Sequence, residues 1–218
     1  MTQVSVRNVA IQSSPCDEDL ARADWYALLA ALFDAPPAGT LLDSIAEAAR
    51  RPASQADADA QAGMQSELSQ AFTVLAQACS ATSADAVRAE YEDAFLGVGK
   101  PEVFLNASYY LSGFLHERPL ADLRDRLDGF GLTRREDQGQ TEDQIAGLCE
   151  VMRYLIVAAS PVAGSQAAQR AFFAEFIAPC FEPMCDALEA SGATDFYKHA
   201  GRMARAFFCV EREAFDFD

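Results

Sequence analysis

The side chains of this sequence with the most chemical potential are carboxylates, hydroxyls and aromatic rings that cluster in three short segments. Residues 90–95 read EYEDAF, residues 107–110 read ASYY, and residues 142–152 read EDQIAGLCEVM. Carboxylates accept paired hydrogen bonds from a guanidinium group, and rings and methionine side chains take apolar groups. If the three segments converge in the fold, they predict a groove for a peptide that carries both basic and apolar side chains.

Each segment also has a purely structural interpretation. Tyr91 and Phe95 are four residues apart, so they lie on one face of a helix and suit a hydrophobic core. Glu150 could simply pair with Arg153 at the surface. The sequence leaves both interpretations open, because it does not show whether the segments meet.

The motifs of common catalytic and nucleotide-binding sites are absent from the sequence. It contains no G-x-x-x-x-G-K-[ST] loop, no G-x-G-x-x-G turn and no G-x-S-x-G elbow. The two histidines, His116 and His199, belong to no H-E-x-x-H or Glu-x-x-His pair, and neither lies at ligand spacing from a cysteine pair. We therefore predict a protein that is not an enzyme and that has no metal site and no cofactor.

The formal net charge of −16 over 218 residues restricts the partners. It disfavours nucleic acids and anionic membrane surfaces, whose phosphates it would repel. It is compatible with a basic partner, although many proteins are acidic only because charge keeps them soluble. No apolar run approaches the ~20 residues that a membrane span needs, and the first residues do not form a secretory signal. We therefore expect a cytoplasmic protein without stable membrane insertion.

Hydrophobic residues recur at spacings of three and four, so the sequence predicts an all-α fold, a compact bundle of about nine or ten helices in one domain over residues 1–218. The helix at 142–158 should begin with a capping box formed by Thr141 and Gln144, and Thr194 should cap the last helix. For the first helix, about 17–33, the predicted apolar face consists of Leu20, Ala23, Ala27, Leu28, Ala31 and Leu32.

Glycines at 129, 131 and 139 mark a polar loop near 129–140. This loop is the predicted hinge between an N-terminal half, which ends at about residue 128, and a C-terminal half, which begins at about 141.

The three segments, in this order and in an acidic helical chain of this length, resemble the TorD/DmsD/NarJ-type chaperones of redox enzyme maturation. EYEDAF is similar to that family's E-Y-x-x-L-F, and Ser108 and Tyr110 match its P-Y-E-S-x-Y. Asp143, Ile145, Glu150 and Met152 match its E-x-D-H-I and E-L-E-F-M segments. Gln144 stands where the family has a histidine, so a titratable group is missing there.

The resemblance implies a cytoplasmic TorD-like chaperone for the catalytic subunit of a molybdopterin oxidoreductase, such as a formate dehydrogenase or a dimethyl sulfoxide or trimethylamine N-oxide reductase. It implies binding of the immature subunit during cofactor insertion, often through a twin-arginine leader. Because of Gln144 it leaves open whether this chain binds such a leader, and it also leaves a domain-swapped homodimer open. The alternatives are a helical adaptor unrelated to metalloenzymes and a nucleotide-using accessory factor. The predicted client-binding residues are Tyr91, Phe95, Ser108, Tyr110, Glu142, Asp143, Gln144, Glu150 and Met152.

Overall fold

The computed structural model describes residues 15–50, 64–97, 100–115, 117–134, 139–158 and 164–217, and within these ranges the chain forms nine helices and no strand. The predicted all-α bundle is thus confirmed. One helix, α8, runs without a break through Gln166–Phe172, a π-helical turn at Phe173–Ile177, and Ala178–Ala190. The others are α1 (Asp17–Phe33), α2 (Gly39–Ala48), α3 (Met64–Ala81), α4 (Ala84–Phe95), α5 (Ala107–Ser112), α6 (Arg118–Gly129), α7 (Ile145–Val157) and α9 (Phe196–Phe217).

The core of the bundle lies between α1, α7, α9 and the second part of α8. α1 packs along α7, while α9 packs on α3 and α8, and α2 covers α3. The interior is rich in aromatic rings, for example Tyr26 and Phe207, whose ring centroids are 4.8 Å apart in an edge-to-face arrangement. Such pairs add to the stabilisation that burial of the rings provides.

The first helix buries only part of the predicted face, namely Ala23 and Leu32. Leu20 is 46% exposed, Ala31 is also exposed, and Ala27 and Leu28 are only half-buried. The pattern of apolar residues was ambiguous here because α1 has small or apolar side chains almost all round. The side chains that α1 does bury are those of Ala23, Tyr26, Leu29, Ala30, Leu32 and Phe33.

The helix α7 begins at Ile145, so the prediction that it starts at 142 with a Thr141–Gln144 capping box is wrong. The backbone N–H of Ala107 donates to the carbonyl of Asp143 at 2.8 Å, and the N–H of Ile145 donates to the carbonyl of Leu105 at 2.8 Å. These bonds flank an isolated antiparallel bridge between Asn106 and Gln144, and the extended backbone of Gln144 keeps the helix from starting earlier. Gln144 is instead the N-cap, and its side-chain oxygen accepts from the N–H of Ala146 at 2.7 Å.

The N-terminus of α9 is capped by a side chain from another helix. The Glu90 carboxylate, on α4, accepts from the backbone N–H groups of Asp195, Phe196 and Tyr197 at 2.7–2.9 Å. A negative charge at this position also complements the helix dipole. The predicted cap, Thr194, is buried and donates its hydroxyl hydrogen to the carbonyl of Leu188 instead, so that prediction is wrong.

We expect the Glu90→Gln variant to unfold with a free energy about 1–2 kcal/mol lower than that of the wild type, because an amide offers one acceptor oxygen where the carboxylate offers two. Urea denaturation followed by circular dichroism measures the difference. Glu92→Gln is the matched control, since Glu92 is exposed on the same helix. An equal effect of the two substitutions would contradict the capping role.

The loop predicted to act as a hinge begins where α6 ends. Gly131 has a φ of 73°, a left-handed conformation that glycine adopts without strain, and the N–H of Leu132 donates to the carbonyl of Leu127 at 2.9 Å. Positions 135–138 and His116 lie outside the described residues. The hinge, the two-half organisation and the exchange of halves between protomers stay predictions. No helix in the described ranges combines the length and apolar composition that a bilayer crossing needs.

Candidate functional site

Two of the three predicted segments meet at a buried carboxylate. Asp143, which is 2% exposed, accepts hydrogen bonds from the hydroxyl of Ser108 at 2.5 Å and from the Ser108 backbone N–H at 3.1 Å. The Thr141 hydroxyl donates to its other oxygen at 2.5 Å, and the Asn106 amide donates to that oxygen at 3.2 Å. We call this set, Asn106, Ser108, Thr141 and Asp143, the Asp143 junction. It fixes the loop before α7 to the start of α5.

The hydrogen bonds of the junction decide the charge state of its carboxyl group. Burial alone would raise the pKa of Asp143, because it penalises the charged form, but the donors Ser108, Thr141 and Asn106 outweigh it and leave the pKa below its ordinary value. Asp143 is therefore a carboxylate at neutral pH, and its four hydrogen bonds are charge-assisted.

The first segment reaches the same region through the C-terminal end of α1. The hydroxyl of Tyr91 donates to the carbonyls of Phe33 at 3.2 Å and Asp34 at 2.9 Å. The Gln144 amide donates to the carbonyl of Phe33 at 2.6 Å, and the Gln140 amide donates to that of Asp34 at 3.1 Å. These carbonyls have no partner within α1, so side chains from distant segments satisfy them.

The remaining predicted residues also lie mostly inside the bundle. Phe95 is buried with its ring 5.0 Å from that of Tyr91, and Met152 is fully buried. Tyr110 is half-buried and donates its hydroxyl hydrogen to the carbonyl of Phe104 at 2.8 Å. Ser108 and Asp143 are buried in the junction. These side chains hold the structure together, and a direct contact between any of them and a client stays a prediction.

A cleft of about 510 Å³ opens beside the junction, between α1, α7 and the loop before α7. Three of the predicted residues line it: Glu142, Gln144 and Glu150. The other six predicted residues are not in its lining. We call this feature the α1–α7 cleft.

The floor of the α1–α7 cleft is made of small and apolar side chains that were not among the predicted site residues. They are Ala27, Ala30 and Ala31 of α1, Gly147 and Val151 of α7, and Leu127 and Leu132 of the α6 end. Tyr154, which is 37% exposed, forms one end of the wall. The alanines at spacings of three and four on α1 were the available signal, but the same spacing is typical of a core face.

The charged rim of the cleft is predominantly acidic. Glu142 receives two hydrogen bonds of 3.0 Å from the guanidinium group of Arg124. Burial by itself would raise the pKa of Glu142, and the contacts with Arg124 reverse this, so the pKa lies below its ordinary value. Glu150 pairs with Arg153 at 3.0 Å, and Asp34 and Arg134 complete the rim.

The arrangement suits binding of a peptide rather than catalysis or metal coordination. Acidic groups beside a floor of small apolar residues can accept a basic side chain and an apolar side chain of one segment. Among the described residues, no three His, Cys, Asp or Glu side chains are placed to hold a metal ion. The six cysteines are free thiols, and burial raises the pKa of Cys180 and Cys185 to about 12.

Comparison with known protein families gives one match. The family model described as nitrate reductase delta subunit matches residues 57–186, which is more than half of the chain. The matched region includes α3 to α7 and most of α8, and thus all three segments of the sequence analysis. A search of curated proteins finds no match.

Proposed function

Because the chain belongs to the nitrate reductase delta subunit family, a member of the TorD-like redox enzyme maturation chaperones, we propose that it binds the immature catalytic subunit of a molybdopterin oxidoreductase during cofactor insertion. The family acts in molybdoenzyme maturation and is not catalytic. The family name makes a nitrate reductase catalytic subunit the first client to test, ahead of a formate dehydrogenase or a dimethyl sulfoxide reductase-type enzyme.

The observation that carries this proposal is the α1–α7 cleft, with its acidic rim above a floor of alanine, glycine and valine. A twin-arginine leader presents adjacent guanidinium groups and then an apolar stretch. The carboxylates on the rim would accept hydrogen bonds from the guanidinium groups, and the floor would bury the apolar stretch. Because the client is held before any export, we place the binding event in the cytoplasm.

The two alternatives from the sequence fit less well. A helical scaffold unrelated to metalloenzymes does not agree with the family match over residues 57–186. A nucleotide-using factor needs donors and positive charge around phosphates. The charged side chains that line the cleft are three carboxylates, those of Asp34, Glu142 and Glu150, and one guanidinium group, that of Arg134, so a phosphate would be repelled there.

The proposal predicts that filling the cleft prevents client binding. Ala31 is exposed and lines the cleft, so Ala31→Leu should reduce capture of the client by about tenfold, because overfilling a packed interface costs 1–3 kcal/mol, while leaving the helix intact. The test expresses the tagged full chain in its own host and identifies captured proteins by mass spectrometry. The expected protein is a molybdopterin oxidoreductase catalytic subunit without its cofactor.

The matched control is Ala21→Leu, which adds the same side chain at an exposed position of α1 outside the cleft. It should capture the client as the wild type does. Absence of any molybdopterin oxidoreductase subunit in the wild-type capture would refute the proposed function. Equal capture by the two variants would refute the cleft as the binding site.

A further inference from the structure

We propose that Asp34 is the carboxylate that receives a basic side chain of the client, and that the bound segment lies with its basic end at the C-terminus of α1 and its apolar end over Ala27 and Tyr154. This inference rests on the proposed function, because it assigns a residue and a direction to the same cleft.

Asp34 is the most available of the three carboxylates that line the cleft. Glu142 is engaged by both hydrogen bonds from Arg124, and Arg134 adds a second positive charge that lowers its pKa. Glu150 is paired with Arg153. Asp34 is exposed, lines the cleft, and makes no ion pair with the described residues. A client guanidinium would therefore meet less competition at Asp34 than at either glutamate.

Hydrogen bonds from two distant segments hold the backbone of Asp34 in place. Its backbone carbonyl accepts from Tyr91 at 2.9 Å and from Gln140 at 3.1 Å, so its position at the end of α1 is fixed from two distant segments. A binding group that is already ordered loses less entropy when the ligand arrives. In addition, the C-terminal end of a 17-residue helix carries partial negative charge, which favours a cation there.

The antiparallel packing of α1 and α7 sets the direction in which a client segment would lie in the cleft. α1 and α7 are antiparallel, because Phe33 contacts Gln144 at the start of α7, whereas Arg22 reaches Leu155 near its end through the side chain of Gln169. The cleft thus has Asp34 at one end and Ala27, Val151 and Tyr154 towards the other. The carboxylate at that second end, Glu150, is engaged by Arg153, so the apolar surface there belongs to Ala27, Val151 and Tyr154.

The distance along α1 between the two ends then limits the client. Ala27 and Asp34 are seven residues apart, which is about 10 Å of helix. That distance equals about three residues of an extended client or seven residues of a helical one. A basic residue and an apolar anchor at either spacing would occupy both ends of the cleft at once.

The test measures binding of two synthetic peptides to the full chain by isothermal titration calorimetry. In both peptides, two variable residues precede ten apolar residues. One peptide carries two arginines, and the other carries two citrullines, which are neutral and nearly the same shape. For the arginine peptide, Asp34→Asn should weaken binding by about tenfold, the value of one charge-assisted hydrogen bond. For the citrulline peptide, the same substitution should have little effect.

Asp24→Asn is the matched control, because Asp24 is an exposed aspartate of α1 outside the cleft and its loss changes the net charge equally. If Asp24→Asn weakens the arginine peptide as much as Asp34→Asn does, the effect is long-range and the assignment of Asp34 is wrong. If the wild type binds both peptides equally, no guanidinium is recognised and the assignment is also wrong. Failure of the wild type to bind either peptide would overturn this inference. The proposed function is tested separately, by the capture of the client from the host.

The direction is tested by placing a photoreactive benzoylphenylalanine in the apolar part of the arginine peptide. We expect crosslinks to residues around Val151 and Tyr154. Crosslinks from that position to the segment around Asp34 and Gln140 would show that the peptide runs the opposite way.

Discussion

Replacing Glu211 with alanine is expected to lower the free energy of unfolding by about 3 kcal/mol, because it removes the buried carboxylate that holds the half-buried guanidinium group of Arg22. Glu211, on α9, is 1% exposed. Its two oxygens accept hydrogen bonds from the guanidinium group of Arg22, each at 2.8 Å, and one of them also accepts from the hydroxyl of Tyr26 at 2.9 Å. The substitution therefore removes an ion pair and takes away the acceptor of three hydrogen-bond donors, all of which belong to α1.

The expected effect is large because Arg22 cannot become neutral by losing a proton. Burial lowers the pKa of Arg22, but the hydrogen bonds and charge of Glu211 more than offset this, and the pKa stays above its ordinary value. The guanidinium group must therefore remain charged when Glu211 is lost. Asp19, whose carboxylate lies 3.5 Å from the guanidinium group, is then the remaining ion-pair partner, and the Gln169 side chain, which accepts from Arg22 at 3.4 Å, adds no charge.

Urea denaturation at pH 7 measures the change, with Glu213→Ala as the control, since Glu213 is exposed on the same helix. A double replacement, Arg22→Met with Glu211→Leu, should recover most of the lost stability, because two apolar side chains leave no unpaired charge. A loss below about 1 kcal/mol in Glu211→Ala would show that water reaches Arg22 and that the pair is not truly buried.

The helices were predictable because their apolar spacings repeat over many residues and survive errors at single positions. The ends of the helices were less predictable from the sequence. The start of α7 was misplaced because Asp143 and Ile145 bond through their backbones to Leu105 and Ala107, and a backbone group leaves no residue-type signal in the sequence. Capping chemistry was visible in the sequence, whereas the competing partner 35 or more residues away was not.

The site shows the same division between residue type and placement. The sequence placed Tyr91 and Asp143 among the client-binding residues, which stays a prediction, but it did not indicate where their polar groups bond, Tyr91 to the end of α1 and Asp143 to Ser108. Ala27 and Ala31 of the cleft floor were predicted to lie on the apolar face of α1, because an apolar pattern does not reveal whether a neighbouring helix covers it. On α1, the cover is absent over Ala31, and a cleft results.

Replacing Asp143 with alanine is expected to lower the free energy of unfolding by about 3 kcal/mol or more, since it removes the acceptor of four hydrogen bonds and leaves buried donors unsatisfied. Ser108 loses the partner of both its hydroxyl and its backbone N–H, and Asn106 and Thr141 lose one bond each. Urea denaturation measures the effect. Asp125→Ala is the control, because Asp125 is exposed on α6, and a similar loss in both variants would contradict the role of the junction.

The ionisation of Asp143 should make the free energy of unfolding decrease as the pH falls. The pKa of Asp143 is lower in the folded protein than in the unfolded chain, where it is about 3.9. Its ionisation therefore contributes stability that is present in full well above pH 4 and is lost as the pH falls through the folded value. The stability advantage of the wild type over Asp143→Asn should shrink as the pH falls below about 5, through the unfolded pKa and then the folded one, and Asp125→Asn is the control variant. An advantage that stayed constant would mean that the Ser108, Asn106 and Thr141 donors bind the neutral amide as well as the carboxylate, and that charge has no part in fixing the loop beside the cleft.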